Sequence, residues 1–431
     1  MLYRKISTIL EDQLLTHPDK ITIVEGPPKV GKTTFIQEVG QRLFKNIILL
    51  DMAADRSFQN VTSPNDFYLQ LSAVAGDNLH TKEDTLIFLD NIQIYPEIIR
   101  LLKLLQEENR YTYVCAASYL PDNLLTEDAS QVIQRLRMHP LSFEEFLFAN
   151  GLNQFALDSL KKSFLAREPL SEPLHKKMLD LFKKYLLVGG FPSAVDCFVK
   201  EKNIWRIREI HKEIYKEYLE AADFYKTSSS EKARCIYEIL PSCLNKKTKR
   251  IFIKNIEGKV GKTYSDYKRE FDFLSDSGLV IPVICLAEPR TPLLLSQKKS
   301  LLKLYFNDVG LLSALFYDRD IRSVLDDKRS VQLGALYENA VAVELASHGH
   351  SLFYYDDRYK GEADFLLDDE ESSSFLPIQV RSGKDYSEYS ALSYLRKGEA
   401  AAKQGIILSN DRLVREKGNI FYLPVYYCMF L

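Results

Sequence analysis

The stretch Ile21-Thr22-Ile23-Val24-Glu25-Gly26-Pro27-Pro28-Lys29-Val30-Gly31-Lys32-Thr33-Thr34-Phe35-Ile36 reads as a β-strand, a glycine-bounded loop and the opening of a helix. Its centre, Gly26 to Thr33, fits G-x-x-x-x-G-K-[ST]. The spacing has a physical reason. Gly26 and Gly31 let the backbone of Gly26, Pro27, Pro28, Lys29, Val30 and Gly31 curl around an anion, while Lys32, Thr33 and Thr34 present the unpaired N–H groups and positive dipole end of a helix to the same place. Lys32 adds a point charge at the β and γ phosphates of a nucleotide, and the Thr33 hydroxyl is placed to hold Mg²⁺. The apolar, β-branched run before the loop and the amphipathic pattern after it (Phe35, Ile36, Val39, Leu43, Phe44) supply the strand–loop–helix setting that the motif needs.

Working outward, residues 2–16 carry an amphipathic helical pattern (Leu2, Ile6, Ile9, Leu10, Leu14) that stops before His17-Pro18. Asn46 to Asp51 is a second apolar strand, and Ser63-Pro64 is the cap and first turn of a helix. The third strand, Thr85-Leu86-Ile87-Phe88-Leu89-Asp90, ends four apolar residues in an aspartate. Its carboxyl end would bring Asp90 to the Mg²⁺ beside Thr33, and the strand lying between the two elements in sequence is the arrangement of the AAA-type branch of P-loop proteins. The residue after such an aspartate is usually the glutamate that aligns and deprotonates the attacking water. Here it is Asn91. An amide orients water but cannot take its proton, and loss of a positioned base costs about 10²- to 10⁴-fold in rate. Slow or absent hydrolysis is therefore expected, unless another acid such as Glu25 substitutes. A fourth strand, residues 111–117, runs to Ser118, a candidate sensor of the γ-phosphate that could equally be a helix cap. On a fifth, Gln134 to Met138, Arg135 and Arg137 alternate outward and read as solvated charges. Ser142 and Glu145 then form a capping box that opens a helix.

Length and charge set the bounds. At 431 residues, with about 100 to 200 residues per domain, two to four domains are expected. A formal net charge of −2 excludes polyanion binding by bulk charge, so a nucleic-acid surface must be local. The first residues have no long apolar core of a signal peptide, and no apolar run approaches the ~20 residues of a membrane span. A cytoplasmic protein without membrane contact is the expectation. The 6 cysteines have no C-x-x-C pairing, which suits reduced thiols better than zinc ligands.

Residues 141–225 are helical and charged, broken at Gly189-Gly190-Phe191-Pro192, as a helical lid would be. The phosphate loop, Leu89-Asp90-Asn91-Ile92-Gln93, Pro140-Leu141-Ser142-Phe143-Glu144-Glu145-Phe146 and Gly189-Gly190-Phe191-Pro192 together resemble a family of bacterial and archaeal AAA-type ATPases. Members of that family carry a C-terminal restriction-endonuclease-like domain of uncharacterised function. The resemblance covers almost the whole chain. It implies an α/β protein with a P-loop ATPase domain (1–155, parallel sheet flanked by helices), a helical lid (156–228), a winged-helix domain (229–317) and a nuclease-like α/β domain (318–431). The winged-helix segment comprises helices near 231–240 and 263–274, then a hairpin from Ser277. Gly258-Lys259-Val260-Gly261-Lys262-Thr263 mimics a second phosphate loop and fails, because Ile256 stands where its first glycine belongs. What remains is a basic run, Lys246, Lys247, Lys249, Arg250, Lys254, Lys259 and Lys262, continued by Lys268 and Arg269. It reads as a solvated face or as phosphate contacts to duplex nucleic acid.

The last third holds a second constellation: Glu338 on a helical run, Glu362 and Asp364 on a strand, and Gln379 and Arg381 on the strand Pro377 to Gly383. It resembles the nuclease pattern of Asp, a spacer, then Glu-x-Lys, with Glu338 and Asp364 as remnants. Gln379 offers a neutral oxygen where Mg²⁺ favours a carboxylate, and Arg381 cannot act as a base. The domain therefore reads as nuclease-like in fold and inactive, with Arg381 expected to pair bidentately with Asp364 where a metal would sit. Two roles stay open: a slow ATPase acting as a switch on nucleic acid, or a non-hydrolysing nucleotide-binding scaffold that engages a protein through its C-terminal half.

Overall fold

A computed structural model describes residues 2–121, 124–125, 127–223, 230–369, 374–382, 390–397 and 401–431. The expected boundary at 228/229 and Gly383 lie outside the described residues. The chain forms two compact units, Tyr3–His139 and Pro140–Leu431. This division falls ahead of the expected boundary at 155/156.

In the first unit, β1 (Ile21–Glu25), β2 (Asn46–Asp51), β3 (Thr85–Asp90), β4 (Thr112–Ala117) and β5 (Ile133–Arg137) make an all-parallel sheet in the order β2-β3-β4-β1-β5. Every residue of β3 and β4 is buried. That is why these segments read as continuous apolar runs without alternation: a parallel sheet is covered on both faces. One covering layer packs Phe67, Leu71, Leu102 and Leu105 on Ile23, Ile48, Ile87 and Tyr113. Register sets the chemistry. Asp51 lies beside Asp90, and Glu25 beside Arg137, at the carboxyl ends of their strands. The Ser63 hydroxyl caps the helix Pro64–Ala75 as its sequence indicates.

In the second unit eight strands, among the described residues, form one mixed sheet. They are β6 (Val280–Leu286), β7 (Gln297–Phe306), β8 (Leu352–Asp357), β9 (Gly361–Asp369), β10 (Ser374–Val380), β11 (Gly405–Ser409), β12 (Arg415–Lys417) and β13 (Ile420–Pro424), ordered β12-β13-β11-β10-β9-β8-β6-β7. The hairpin β6–β7, expected in a winged-helix domain of its own, continues the C-terminal sheet through parallel pairing of β6 with β8. The expected boundary at 317/318 thus runs through a single sheet. Residues 263–276 are a short 3₁₀ turn, Tyr264–Tyr267, followed by the helix Lys268–Asp276, where one helix over 263–274 was expected. The helix Val331–Ser347 is buried along Leu333 and Ala335–Leu345 and contacts both this sheet and the helix Glu172–Val188. It is apolar nearly all round for that reason, and its buried polar members Glu338, Asn339 and Glu344 must find partners. Glu344 accepts from the Phe143 N–H at 2.8 Å, at the start of the helix Phe143–Ala149 that the Ser142/Glu145 capping box opens.

Candidate functional site

The phosphate loop is held by its own backbone and by one distant arginine. Lys29 (φ 66°) and Gly31 (φ 93°) both take the left-handed conformation that turns the chain back on itself. Gly26 is required on steric grounds, because a Cβ there would meet the Met138 carbonyl oxygen at 2.2 Å. Pro27 and Pro28 carry no N–H, so the anion donors of the loop are those of Lys29 to Thr34. Arg4, buried just ahead of the first helix, donates to the carbonyls of Val30 (3.3 Å) and His139 (2.5 Å) and ties the loop to the end of the unit. Nothing in the sequence around Arg4 signals this role.

Lys32 is buried and donates to the carbonyls of Gly26 (2.7 Å) and Pro27 (2.9 Å), so its ammonium is solvated by the cradle itself. Burial pulls its pKa down to about 8, with Asp90 acting against the fall. Thr33 donates its hydroxyl hydrogen to Asp90 Oδ2 at 2.6 Å. Mg²⁺ takes hard oxygen ligands in small number, and this hydroxyl–carboxylate pair, already converging beneath the loop, fits it. Thr33 and Asp90 would hold the ion, which would supply charge neutralisation at the β and γ phosphates.

Asn91 sits in the left-handed region (φ 55°) and gives its N–H to Asp90 Oδ1 and its side-chain NH₂ to Asp51 Oδ1, both at 2.9 Å. Asp51 was not singled out by sequence reading; the signal was there, since β2 ends in Asp as β3 does. Glu25, the alternative acid considered for the base, is engaged by Arg135, whose guanidinium reaches both its oxygens. Arg135 is exposed, as a solvated charge would be, and in addition pairs with Glu25 on the adjacent strand. The Ser118 N–H lies 3.4 Å from Gln93 Oε1, beside the end of β4.

The second constellation is brought together, with different partners. Asp364 is buried and accepts at Oδ2 from Gln379 Nε2 (2.5 Å) and the Val380 N–H (2.7 Å). Gln379 thus turns its NH₂ and not its oxygen to Asp364 Oδ2, which accepts. Arg381 lies beyond the end of β10 with Nη1 at 3.8 Å from Asp364 Oδ2 and donates to the Val380 carbonyl at 2.9 Å. The expected bidentate pair is not formed.

The close cation comes from elsewhere. Lys249 Nζ lies 3.0 Å from Glu338 Oε1, and Tyr305 donates to Glu338 Oε2 at 2.7 Å. Lys303, fully buried, pairs with Glu362. Burial works against the Glu338 charge, but Lys249, Lys303 and Tyr305 outweigh it and hold its pKa below the usual range. Asp364 is pushed up to about 7 by burial and then by Glu338, with Arg381 opposing. Because Arg381 is partly exposed and Asp364 keeps two other donors, Arg381→Ala is expected to cost only about 1 kcal/mol in chemical denaturation.

The basic run is largely consumed by intramolecular partners. Lys249, reached through a left-handed turn (φ 50°), is buried and pairs with Glu338. Arg250 pairs with Asp356, Lys259 with Glu257, Lys262 with Asp266 and Lys268 with Asp272. Lys246, Lys247, Lys254 and Arg269 are exposed.

Residues 18–147 match a family model described as an AAA domain. Residues 179–330 and 333–428 match two further models, each described as a domain of unknown function, DUF8612 and DUF4143. Comparison with curated proteins gives no match. Among solved structures, similarity is found to the Walker-type ATPase paby2304 of Pyrococcus abyssi (13% identity, 73% of this chain and 96% of that one, TM-score 0.43). It is also found to the RuvB Holliday junction branch migration motor of Thermotoga maritima (12%, 65% and 89%, 0.32) and to the FIGL-1 AAA domain in complex with ADP (18%, 50% and 75%, 0.28). No helix among the described residues is long and apolar enough to cross a membrane. With the parallel sheet, the phosphate loop and the Thr33–Asp90 pair already in place, the family match makes residues 18–147 an AAA-type P-loop ATPase domain, a nucleotide-binding module.

Proposed function

We propose that the chain binds Mg-ATP and hydrolyses it slowly, so that its nucleotide state acts as a switch. The single observation that carries this reading is the Thr33 Oγ1 to Asp90 Oδ2 contact of 2.6 Å beneath a loop whose Gly26 leaves no room for a side chain. Slowness is supported by Asn91, which stands where the usual base would be and can orient water without accepting its proton. The experiment is phosphate release by the whole chain with Mg-ATP. Turnover is expected below about 1 s⁻¹, under the ~10 s⁻¹ of a median enzyme. Absence of any turnover, with ATP still bound, would leave the second reading, a non-hydrolysing scaffold for a protein partner, which the Glu25–Arg135 pairing favours.

In the same proposal the C-terminal unit keeps a nuclease-like arrangement without nuclease chemistry. What supports this is the pairing of its acids with cations and amides of the chain itself: Glu338 with Lys249, Glu362 with Lys303, and Asp364 with Gln379 and Arg381. Incubation of the protein with DNA and Mg²⁺ is expected to leave the DNA intact. Duplex binding, if it is the input to the switch, falls to the exposed Lys246, Lys247, Lys254 and Arg269. Charge reversal at Lys247 and Arg269 is then expected to weaken duplex affinity at least tenfold and to flatten its salt dependence. Affinity unchanged in that variant would transfer the role to a protein partner.

A further inference from the structure

Three carboxylates stand at the carboxyl ends of β1, β2 and β3: Glu25, Asp51 and Asp90. Both Glu25 oxygens are occupied by Arg135. Both Asp90 oxygens are occupied as well, Oδ2 by the Thr33 hydroxyl and Oδ1 by the Asn91 N–H. Asp51 differs. Its Oδ1 accepts from Asn91 Nδ2 and from the Ala53 N–H, each at 2.9 Å, and no donor among the described residues reaches its Oδ2. It is half-buried, next to Asp90 in the strand register, and so about one interstrand spacing (~4.8 Å) away. A line of hydrogen bonds thus runs from the loop helix to β2 through Thr33, Asp90, Asn91 and Asp51.

We propose that Asp51 is the proton acceptor for the water that attacks the γ-phosphate, with Asn91 positioning that water; the inference rests on the hydrolysis reading above. Asn91 spends its NH₂ on Asp51, which leaves its amide oxygen to accept one O–H of the water while Asp51 Oδ2 accepts the other. The water oxygen forms a bond to the γ-phosphorus, and the bond from that phosphorus to the β,γ-bridging oxygen breaks. The electron pair leaves on ADP, toward the Lys32 ammonium. The water proton goes to Asp51 Oδ2 and from this half-exposed carboxyl to solvent. The carboxylate and the water-orienting group, ordinarily one glutamate, are here divided between two residues on neighbouring strands.

Asp51 also makes a local turn through the Ala53 N–H. Asparagine makes the same turn equally well and cannot take a proton, so Asp51→Asn separates the two roles. In that variant turnover is expected to fall about 10²- to 10⁴-fold, with ATP affinity within about twofold of the parent. The double variant D51N/N91E, which moves the carboxylate to the neighbouring residue and keeps a carboxylate–amide pair, is expected to recover at least tenfold over Asp51→Asn. Turnover of Asp51→Asn equal to the parent's, measured in a single-turnover experiment so that product release does not mask chemistry, would overturn the assignment alone. A parent chain that binds ATP without any turnover would overturn both this inference and the hydrolysis reading.

Discussion

Lys32→Ala is expected to reduce ATP affinity at least 100-fold, the largest single effect in the first unit. Truncating one partner of a buried, charge-assisted contact costs about 2 to 5 kcal/mol, and each 1.4 kcal/mol is tenfold. Lys32 should reach this range because it is buried and because in the free protein it already holds the loop in shape through the Gly26 and Pro27 carbonyls. Its removal takes away the phosphate charge and leaves those carbonyls to water. Equilibrium binding of a fluorescent nucleotide, beside a melting curve showing an intact fold, is the check; affinity equal to the parent's would remove the loop from the nucleotide site. The same lysine gives a pH signature. Burial holds its free-state pKa near 8, and a bound polyphosphate raises it. Above pH 8 the free protein has lost a proton that the complex retains, so binding takes up a proton. Affinity is therefore expected to be level below pH 8 and to fall above it by at most tenfold per unit.

The second large effect lies at Lys249. Lys249→Ala leaves Glu338 buried with the Tyr305 hydroxyl as its remaining close partner, and breaking a buried ion pair from one side costs about 3 to 5 kcal/mol. The loss should appear as a lower denaturant midpoint for the second unit. The double variant K249A/E338Q discriminates mechanism from mere side-chain loss. With the carboxylate neutralised, no unpaired charge remains, and a good part of the stability is expected to return. A Lys249→Ala protein as stable as the parent would mean that Glu338 takes up a proton or finds water, and that the pair contributes nothing. The contrast with Arg381 is instructive. Sequence places Arg381 beside Asp364, and the two are near, yet the group that decides the electrostatics is a lysine far upstream.

That contrast shows where the sequence stops being readable. Strands β1 to β5, the phosphate loop and the Ser142/Glu145 box are written in local patterns: apolar runs, fixed glycines, a hydroxyl and a carboxylate three residues apart. Local chemistry makes them and local chemistry reveals them. Lys249 sits in a run of bases whose other members are mostly exposed, and only a left-handed backbone followed by pairing of Arg250 with Lys303 turns it inward. Asp51 likewise needs the strand order: its place beside Asp90 follows from β2 pairing with β3. The hairpin β6–β7 was legible as a hairpin, but its membership of the C-terminal sheet depends on pairing of β6 with β8 across about 65 intervening residues. Partners distant in the chain carry no local signature.

The Met138 carbonyl that excludes a side chain at Gly26, and the His139 carbonyl that Arg4 grips, belong to the final residues of the first unit. Central strand β1, made first, pairs with β4 and β5, made last. A nascent chain released before residue 139 therefore has the entire G-x-x-x-x-G-K-T motif and no wall behind it. At 5–20 residues per second, synthesis of that length takes on the order of ten seconds, during which the nucleotide is not a folding template. ATP is therefore expected to stabilise this unit only after its edge strand has docked, and a ligand-dependent rescue of misfolding mutants should favour those that unfold late over those that stall on the ribosome.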